Sequence, residues 1–538
     1  MIANAKLVCL QLMLGGFLSS AAEAKQSLVP ARNPKASPPS ALTRLINLKK
    51  SYQLGTTDKA EIWAQITSLA ENANLPPALR TSFLETQALM LADAKYPIAA
   101  AIYAAQALKT TPNPFTVDRT PSWQLLYRVS ESKPIHNILE ITSEQTGVGG
   151  QQVPVFGNDW NYYGANAAAK HGNVKKALQL YHNLHATDRH FLAGKYQEAM
   201  HLVDSERLDD AEAALVAIVS DSTKNSDVTD PERRRALIDY AKLALGRIYY
   251  ERQKFPQSIT MYRGVSRGGR SFYDSLFEQS WALFMGGYPA HALGALRGAE
   301  SPFFKDVFNP EAPLLRAMVH YWLCRYEASR NALADFTEKY EPQVKKLTEF
   351  LGRRRLDAET AYTLFENLVA GVSEESLGVP RPVLSTAAEK DTMLTLRDQY
   401  ASLLEESRNL EAKGIFGSKA KTARPLEYLN RWAGGLRTDI GKQFLAELQE
   451  MKKDFERLHS QAEFLYVELL MSEKDQILGK ELHASTKITH VSNRREITGW
   501  GKKTQAWGDD SSGEYWWDEV GFYIQPVTSM CQKNSISE

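Results

Sequence analysis

The 538-residue sequence is poor in cysteine, in net charge and in long apolar runs. Three cysteines exclude a disulfide-stapled mini-scaffold and leave too few thiolates for an all-cysteine tetrahedral zinc site. Lys and Arg number 64 against 63 Asp and Glu, so the chain carries +1 and lacks the cationic field of a nucleic-acid binder. The apolar stretch Leu7 to Leu18 is 12 residues long, short of the roughly 20 that span a bilayer. Sustained period-two alternation is missing, which argues against sheets. There is no Gly-x-Ser-x-Gly elbow and no phosphate loop ending in Gly-Lys-Ser/Thr, and Gly147, Gly149 and Gly150 read as a plain turn. What is there is ordinary: 43% hydrophobic and 24% charged residues describe a soluble globular chain of roughly three or four domain-sized units.

The N-terminus has a cation at Lys6, the apolar stretch, then Ala21-Ala22-Glu23-Ala24, the small-x-small form of a signal-peptidase site. Residues 1–24 therefore read as a cleavable signal peptide and the protein as periplasmic. Val8 before Cys9 is not the small residue of a lipidation signal. Residues 25–40, with Pro30, Pro34, Pro38 and Pro39, read as a Pro-rich linker. Export leaves Cys324 and Cys531, and an oxidising compartment favours their bridging. The alternative is two buried thiols.

From Leu42 onward, Ala and Leu fall at helical spacing, which predicts an all-α body. A fixed period runs through it. Leu245-Gly246-Arg247-Ile248-Tyr249, Phe255-Pro256-Gln257-Ser258 and Tyr262 are followed 34 residues later by Ser280, Leu283, Gly287, Ala292 and Leu296. Ala177 and Ala211 also stand 34 apart, and Ala317, Tyr326, Ala328, Ser329 and Leu333 form a further unit three residues late. A weaker one surrounds Tyr96-Pro97-Ile98-Ala99 and Tyr103. This pattern resembles the tetratricopeptide-repeat family, which implies an α-solenoid of about five or six helix pairs over residues 41–342. Residues 112–150 fit the repeat poorly, and Asp221 to Glu232 is a polar insertion.

Beyond Pro342 the period stops. Ile440, Phe444, Leu448, Met451, Phe455, Leu458, Ala462, Leu465 and Leu469 are spaced 4, 4, 3, 4, 3, 4, 3, 4, a heptad seam. With Leu396, Tyr400, Leu403 and Leu410 before it, this predicts a long helical hairpin over 343–484. The alternative is a homodimer through residues 440–469. Residues 485–538 hold Trp500, Trp507, Trp516 and Trp517 among Gly and Asp, a tail of irregular or short-stranded structure whose aromatics should pack on the molecule. Cys531 would fasten it to Cys324.

His171, His182, His185, His190 and His201 lie within about 30 residues, and His182 and His185 are three apart. No acid stands between them at ligand spacing, so no metal site is assigned. Glu514, Asp518 and Glu519 beside Trp516 and Trp517 invite a sugar-cleaving reading, but the tail is short for a catalytic domain. The repeat resemblance implies a concave groove lined by the first helix of each pair. Its positions fall on Tyr240, Leu243, Arg247 and Tyr250; on Asp274, Phe277, Trp281, Phe284 and Met285; and on Leu314, Met318, Tyr321 and Trp322. Of these, Tyr240, Arg247, Tyr250, Phe277, Trp281, Phe284, Tyr321 and Trp322 are the expected partner-binding residues, a set suited to a helix or peptide laid in a groove. The competing expectation is that some are inter-repeat core, and that the protein's own long helix or tail fills the groove.

The expected function is a non-enzymatic protein-protein scaffold of the bacterial envelope, with other envelope proteins as partners and no cofactor. The Cys324-Arg325-Tyr326-Glu327-Ala328 unit and the ending Glu514 to Tyr523 are also similar to exported periplasmic tetratricopeptide proteins of predatory and gliding deltaproteobacteria, which implies a motility or envelope-spanning complex. The alternative is a peptidoglycan-acting lytic enzyme or its regulator.

Overall fold

The computed structural model describes residues 40–71, 75–111, 120–132, 154–220, 231–353, 356–478, 505–506 and 514–531. The expected signal peptide, most of the linker, Gly147 to Gly150, Trp500 and Trp507 lie outside them. The described residues are all-α but for one two-stranded sheet.

The helices are α1 Ala41–Leu54, α2 Lys59–Ala70, α3 Pro77–Asp93, α4 Pro97–Lys109, α5 Thr120–Ser132, α6 Trp160–Lys170 and α7 Val174–His182. Next come α8 Phe191–Asp204, α9 Leu208–Val219, α10 Pro231–Glu251, α11 Phe255–Arg263, α12 Phe272–Met285 and α13 Pro289–Ala299. They are followed by α14 Glu311–Trp322, α15 Tyr326–Leu351, α16 Ala358–Val369, α17 Glu374–Leu377, α18 Arg381–Ala388, α19 Asp391–Lys413 and α20 Ala423–Ile477. The strands β1 Gln505–Ala506 and β2 Tyr523–Ile524 pair in parallel.

Six consecutive-helix junctions share one turn. Lys95, Gly172, Glu206, Gln253, Gly287 and Cys324 all take positive φ. In each, the next residue's N–H closes back five residues: Tyr96 to Leu91, Asn173 to Ala168, Arg207 to Leu202, Lys254 to Tyr249, Tyr288 to Leu283 and Arg325 to His320, at 2.8–2.9 Å. This left-handed cap satisfies the last carbonyls of one helix and aims the next back along it. It joins α3 to α4, α6 to α7, α8 to α9, α10 to α11, α12 to α13 and α14 to α15, and the two helices of every pair pack together. Small residues permit the close crossing. Ser258 donates its hydroxyl to the Gly246 carbonyl at 2.8 Å, and Ser329 to Ala317 at 2.9 Å. Successive pairs stack through their first helices, α8 on α10, α10 on α12 and α12 on α14.

Pro342 falls inside α15, which continues to Leu351. Proline removes one internal hydrogen bond there, and Tyr340, Val344, Leu347 and Phe350, buried on either side of it, hold the helix in place. The chain then returns along the array. α20 is 55 residues long, about 80 Å at 1.5 Å per residue. It packs on α19 and touches α4, α14, α15, α16 and α18. Its seam residues Ile440, Phe444, Leu448, Phe455, Leu458, Ala462, Leu465 and Leu469 are buried in one cluster with residues of α15, α16 and α18, so the seam is occupied within the chain. Gly441 lets α20 approach the start of α16: a Cβ there would lie 1.9 Å from the Ala358 carbonyl oxygen.

The far end of the chain closes on the N-terminal helices. Trp63 donates its indole N–H to the Lys421 carbonyl at 3.3 Å, and Lys421 pairs with Glu71 at 2.7 Å. Glu406 of α19 is buried, and its two oxygens accept the backbone N–H groups of Ile98 and Ala99 at 3.0 and 2.7 Å. It thus caps α4 from more than 300 residues away.

The tail 514–531 lies along α13. Val520 and Tyr523 are fully buried, Trp517 packs edge-on to Phe272 and Phe303, and Trp516 stays largely exposed. Gln525 N–H donates to the Ala290 carbonyl and Met530 N–H to Leu323, and Cys531 is bonded to Cys324.

Candidate functional site

Arg247 of α10 reaches Glu278 of α12, its Nε at 2.8 and 3.1 Å from the two carboxylate oxygens and its Nη2 at 2.5 Å. Three residues beyond Glu278, Trp281 donates its indole N–H to Glu311 Oε1 of α14 at 3.0 Å. These two contacts stitch the three first helices together across their inner face. With Tyr250, Glu251 and Tyr262 they line an open cleft of about 500 Å³.

The cleft is acidic as well as aromatic. Burial and the neighbouring Glu278 carboxylate push the Asp274 carboxyl above its ordinary range, against the pull of Arg247 and Lys390. Burial raises Glu311 too; Asp454 and Glu278 add to it, while the Trp281 N–H and Arg457 oppose it. Asp454 and Arg457 belong to α20, whose charges are thus felt at Glu311. A cation entering the cleft beside Glu251, Glu278 and Glu311 would relieve this crowding of negative charge.

The eight expected partner-binding residues divide into three groups. Arg247, Tyr250 and Trp281 line the cleft. Tyr240 and Tyr321 also stand on the inner face but are engaged by the returning helices. The Tyr240 hydroxyl donates to Asp391 of α19 at 3.0 Å, and Tyr321 shares a hydrogen bond with Ser472 of α20 at 3.1 Å. Phe277 and Phe284 are buried in the core between pairs, and Trp322 is half-buried with its ring against Phe284 at 6.0 Å. The tail lies on α13, and neither it nor α20 contributes a residue to the cleft lining among the described residues.

The histidines do not act together. The His182 ring is exposed and lies 3.4 Å from Glu198, whereas His185 donates its backbone N–H to Asp188 at 2.8 Å. His201 stacks near Tyr181, and His171 caps the end of α6. His190 joins Glu131 and Asp159 in a cluster whose ligand-type atoms lie within 4.8 Å of one another. Sequence spacing does not show this cluster, because the three residues come from separate elements. Glu131 accepts from His190 Nε2 at 2.8 Å, from the Tyr163 hydroxyl and from Arg189, while Asp159 accepts from Tyr127. Burial works to raise Glu131, yet these donors outweigh it and hold the carboxyl at about 2. A metal ion would have to displace donors already in place, Arg189 among them, so the cluster reads as a clasp joining α5, α6 and α8. Glu514 and Asp518 are exposed on the tail, and the carbonyl of Asp518 accepts from Arg267.

Comparison of the sequence with known protein-family models and with curated proteins finds no match.

Proposed function

We propose that the protein is a non-enzymatic scaffold of the bacterial cell envelope, built on a tetratricopeptide-type solenoid, that holds a segment of a partner protein in the inner cleft. The repeat assignment draws support from the six like turns and from the stacking of first helix on first helix. The Cys324–Cys531 bond accords with an exported, oxidising setting. The observation that carries the reading is the cleft itself. Trp281 and the Arg247–Glu278 pair are already oriented by bonds to neighbouring helices, and the Tyr250 ring packs edge-on to Phe255, so little side-chain entropy is lost on binding. The excess of carboxylates selects a segment that brings Lys or Arg beside its apolar residues.

The test is affinity capture from the native envelope with the full chain as bait. Trp281→Ala with Tyr250→Ala should abolish recovery of the specific partner while leaving the helical circular dichroism intact. Unchanged recovery would remove the cleft assignment.

A further inference from the structure

The chain seats one of its own extended segments in an outer groove. The cradle is formed by α11 and α13 over α12. Phe522 lies beneath the guanidinium groups of Arg263 and Arg267, at 5.6 and 4.5 Å from its ring centre. A Cβ on Gly294 would lie 2.0 Å from the Tyr523 carbonyl oxygen, and one on Gly298 would touch Val520 and Leu276. The occupant, Glu514 to Gln525, is acidic and aromatic, and its cradle is two arginines beside a helix face stripped of side chains.

Two pairs earlier a related groove recurs with no described segment seated in it; Ala186 stands at the place of Arg267, and the cations lie elsewhere along the groove. Ala177 in α7 and Ala211 in α9 are 34 residues apart, as are Ser258 in α11 and Ala292 in α13. By the same count Ala213 and Ala217 correspond to Gly294 and Gly298, and His182 to Arg263. All three line a cleft of about 920 Å³ that runs between α7 and α9 above Leu202 of α8. Its other cations differ in availability. Lys195 pairs with Glu198 at 2.7 Å and Arg207 with Asp210 at 2.6 Å, whereas Lys175 and Lys176 form no ion pair among the described residues.

We propose that this outer groove binds an extended, acidic and aromatic segment of a partner protein, in the manner that the groove along α13 holds residues 514–525. The small side chains of Ala213 and Ala217 leave the face of α9 open to an approaching backbone and its rings, and Lys175 and Lys176 attract the acids. The groove shares no lining residue with the inner cleft, so it works independently of it.

The probe is a fluorescein-labelled synthetic peptide with the sequence of residues 514–525, titrated by anisotropy into the full, disulfide-closed chain. Saturable binding is expected. It should weaken by about tenfold or more in Lys175→Glu with Lys176→Glu, and likewise in Ala213→Trp, which fills the groove from an exposed position. A peptide with Lys at its three acidic positions should also bind about tenfold more weakly. Melting temperatures of the variants establish that each is folded. Absence of saturable binding overturns the proposal. So does equal affinity for Ala213→Trp, which would place the peptide elsewhere, or equal affinity of the lysine peptide, which would remove the charge argument.

Discussion

Gly294 has no room for a methyl group, since the Tyr523 carbonyl occupies its place. Gly294→Ala should therefore lift the tail off α13 and cost about 1–3 kcal/mol, the usual range for overpacking, read as a lower thermal midpoint with altered Trp517 emission. His291, on the same helix, governs a pH response. Burial and then the nearby Arg263 push its imidazole down to about 4 from the ordinary 6.5. Between those values the unfolded chain binds a proton that the folded chain refuses, so stability falls as pH drops from 6.5 toward 4. In urea melts at pH 7 and pH 5, the wild-type midpoint should fall more than that of His291→Gln. Glu131 acts in a lower window. Its carboxyl sits at about 2, below its unfolded value, so its contribution is present above about 4.5 and lost as pH falls toward 2. Residue-scale reading of the sequence named ring-bearing positions on the first helices without separating core from cleft. Phe277 and Trp281 are four apart on one helix, yet one is core and the other lines the cleft. The difference lies in how α12 is rotated against α13 and α14, which periodicity within α12 does not encode.

Glu406 shows how one helix is held by another. Its carboxylate satisfies two N–H groups at the start of α4, where no side chain of α4's own N-cap, Tyr96, does so. Glu406→Ala leaves both donors buried and should cost about 1–3 kcal/mol in denaturant titration. Glu406→Gln, which keeps one acceptor, should recover part of this. Elements of this kind were legible in proportion to how local their cause is. The α19–α20 pairing follows from two apolar series and the break between them, and the heptad seam in 440–469 is buried as such spacing requires. By contrast, α20 begins at Ala423 and α15 runs through Pro342, because packing on neighbours overrides the local breaking signals. The cap on α4 left no trace in the sequence around either residue.

At the scale of the molecule, the described residues form four apolar clusters in place of one core, and two of them join the N-terminal and middle helices to α19 and α20. The Cys324–Cys531 bond closes a loop of 207 residues, worth about 5 kcal/mol if its effect is confined to the unfolded chain. Cys324→Ser with Cys531→Ser should lower the thermal midpoint, and wild-type protein in reductant should match it. The all-α class could be read from helical spacing, but the return of α20 to α4 could not. Contacts between residues more than 300 positions apart arise where the chain runs back along the array through α19 and α20, which no local period encodes. That return has a mechanical meaning. A row of stacked helix pairs is a spring, since a small rotation at each interface adds up to a large extension of the whole. A strut about 80 Å long, anchored near Trp63 and Tyr96 at one end and at Tyr321 and Arg330 at the other, shorts that spring. Separating the two ends would therefore load the backbone hydrogen bonds and side-chain anchors of this one helix as well as the interfaces between pairs.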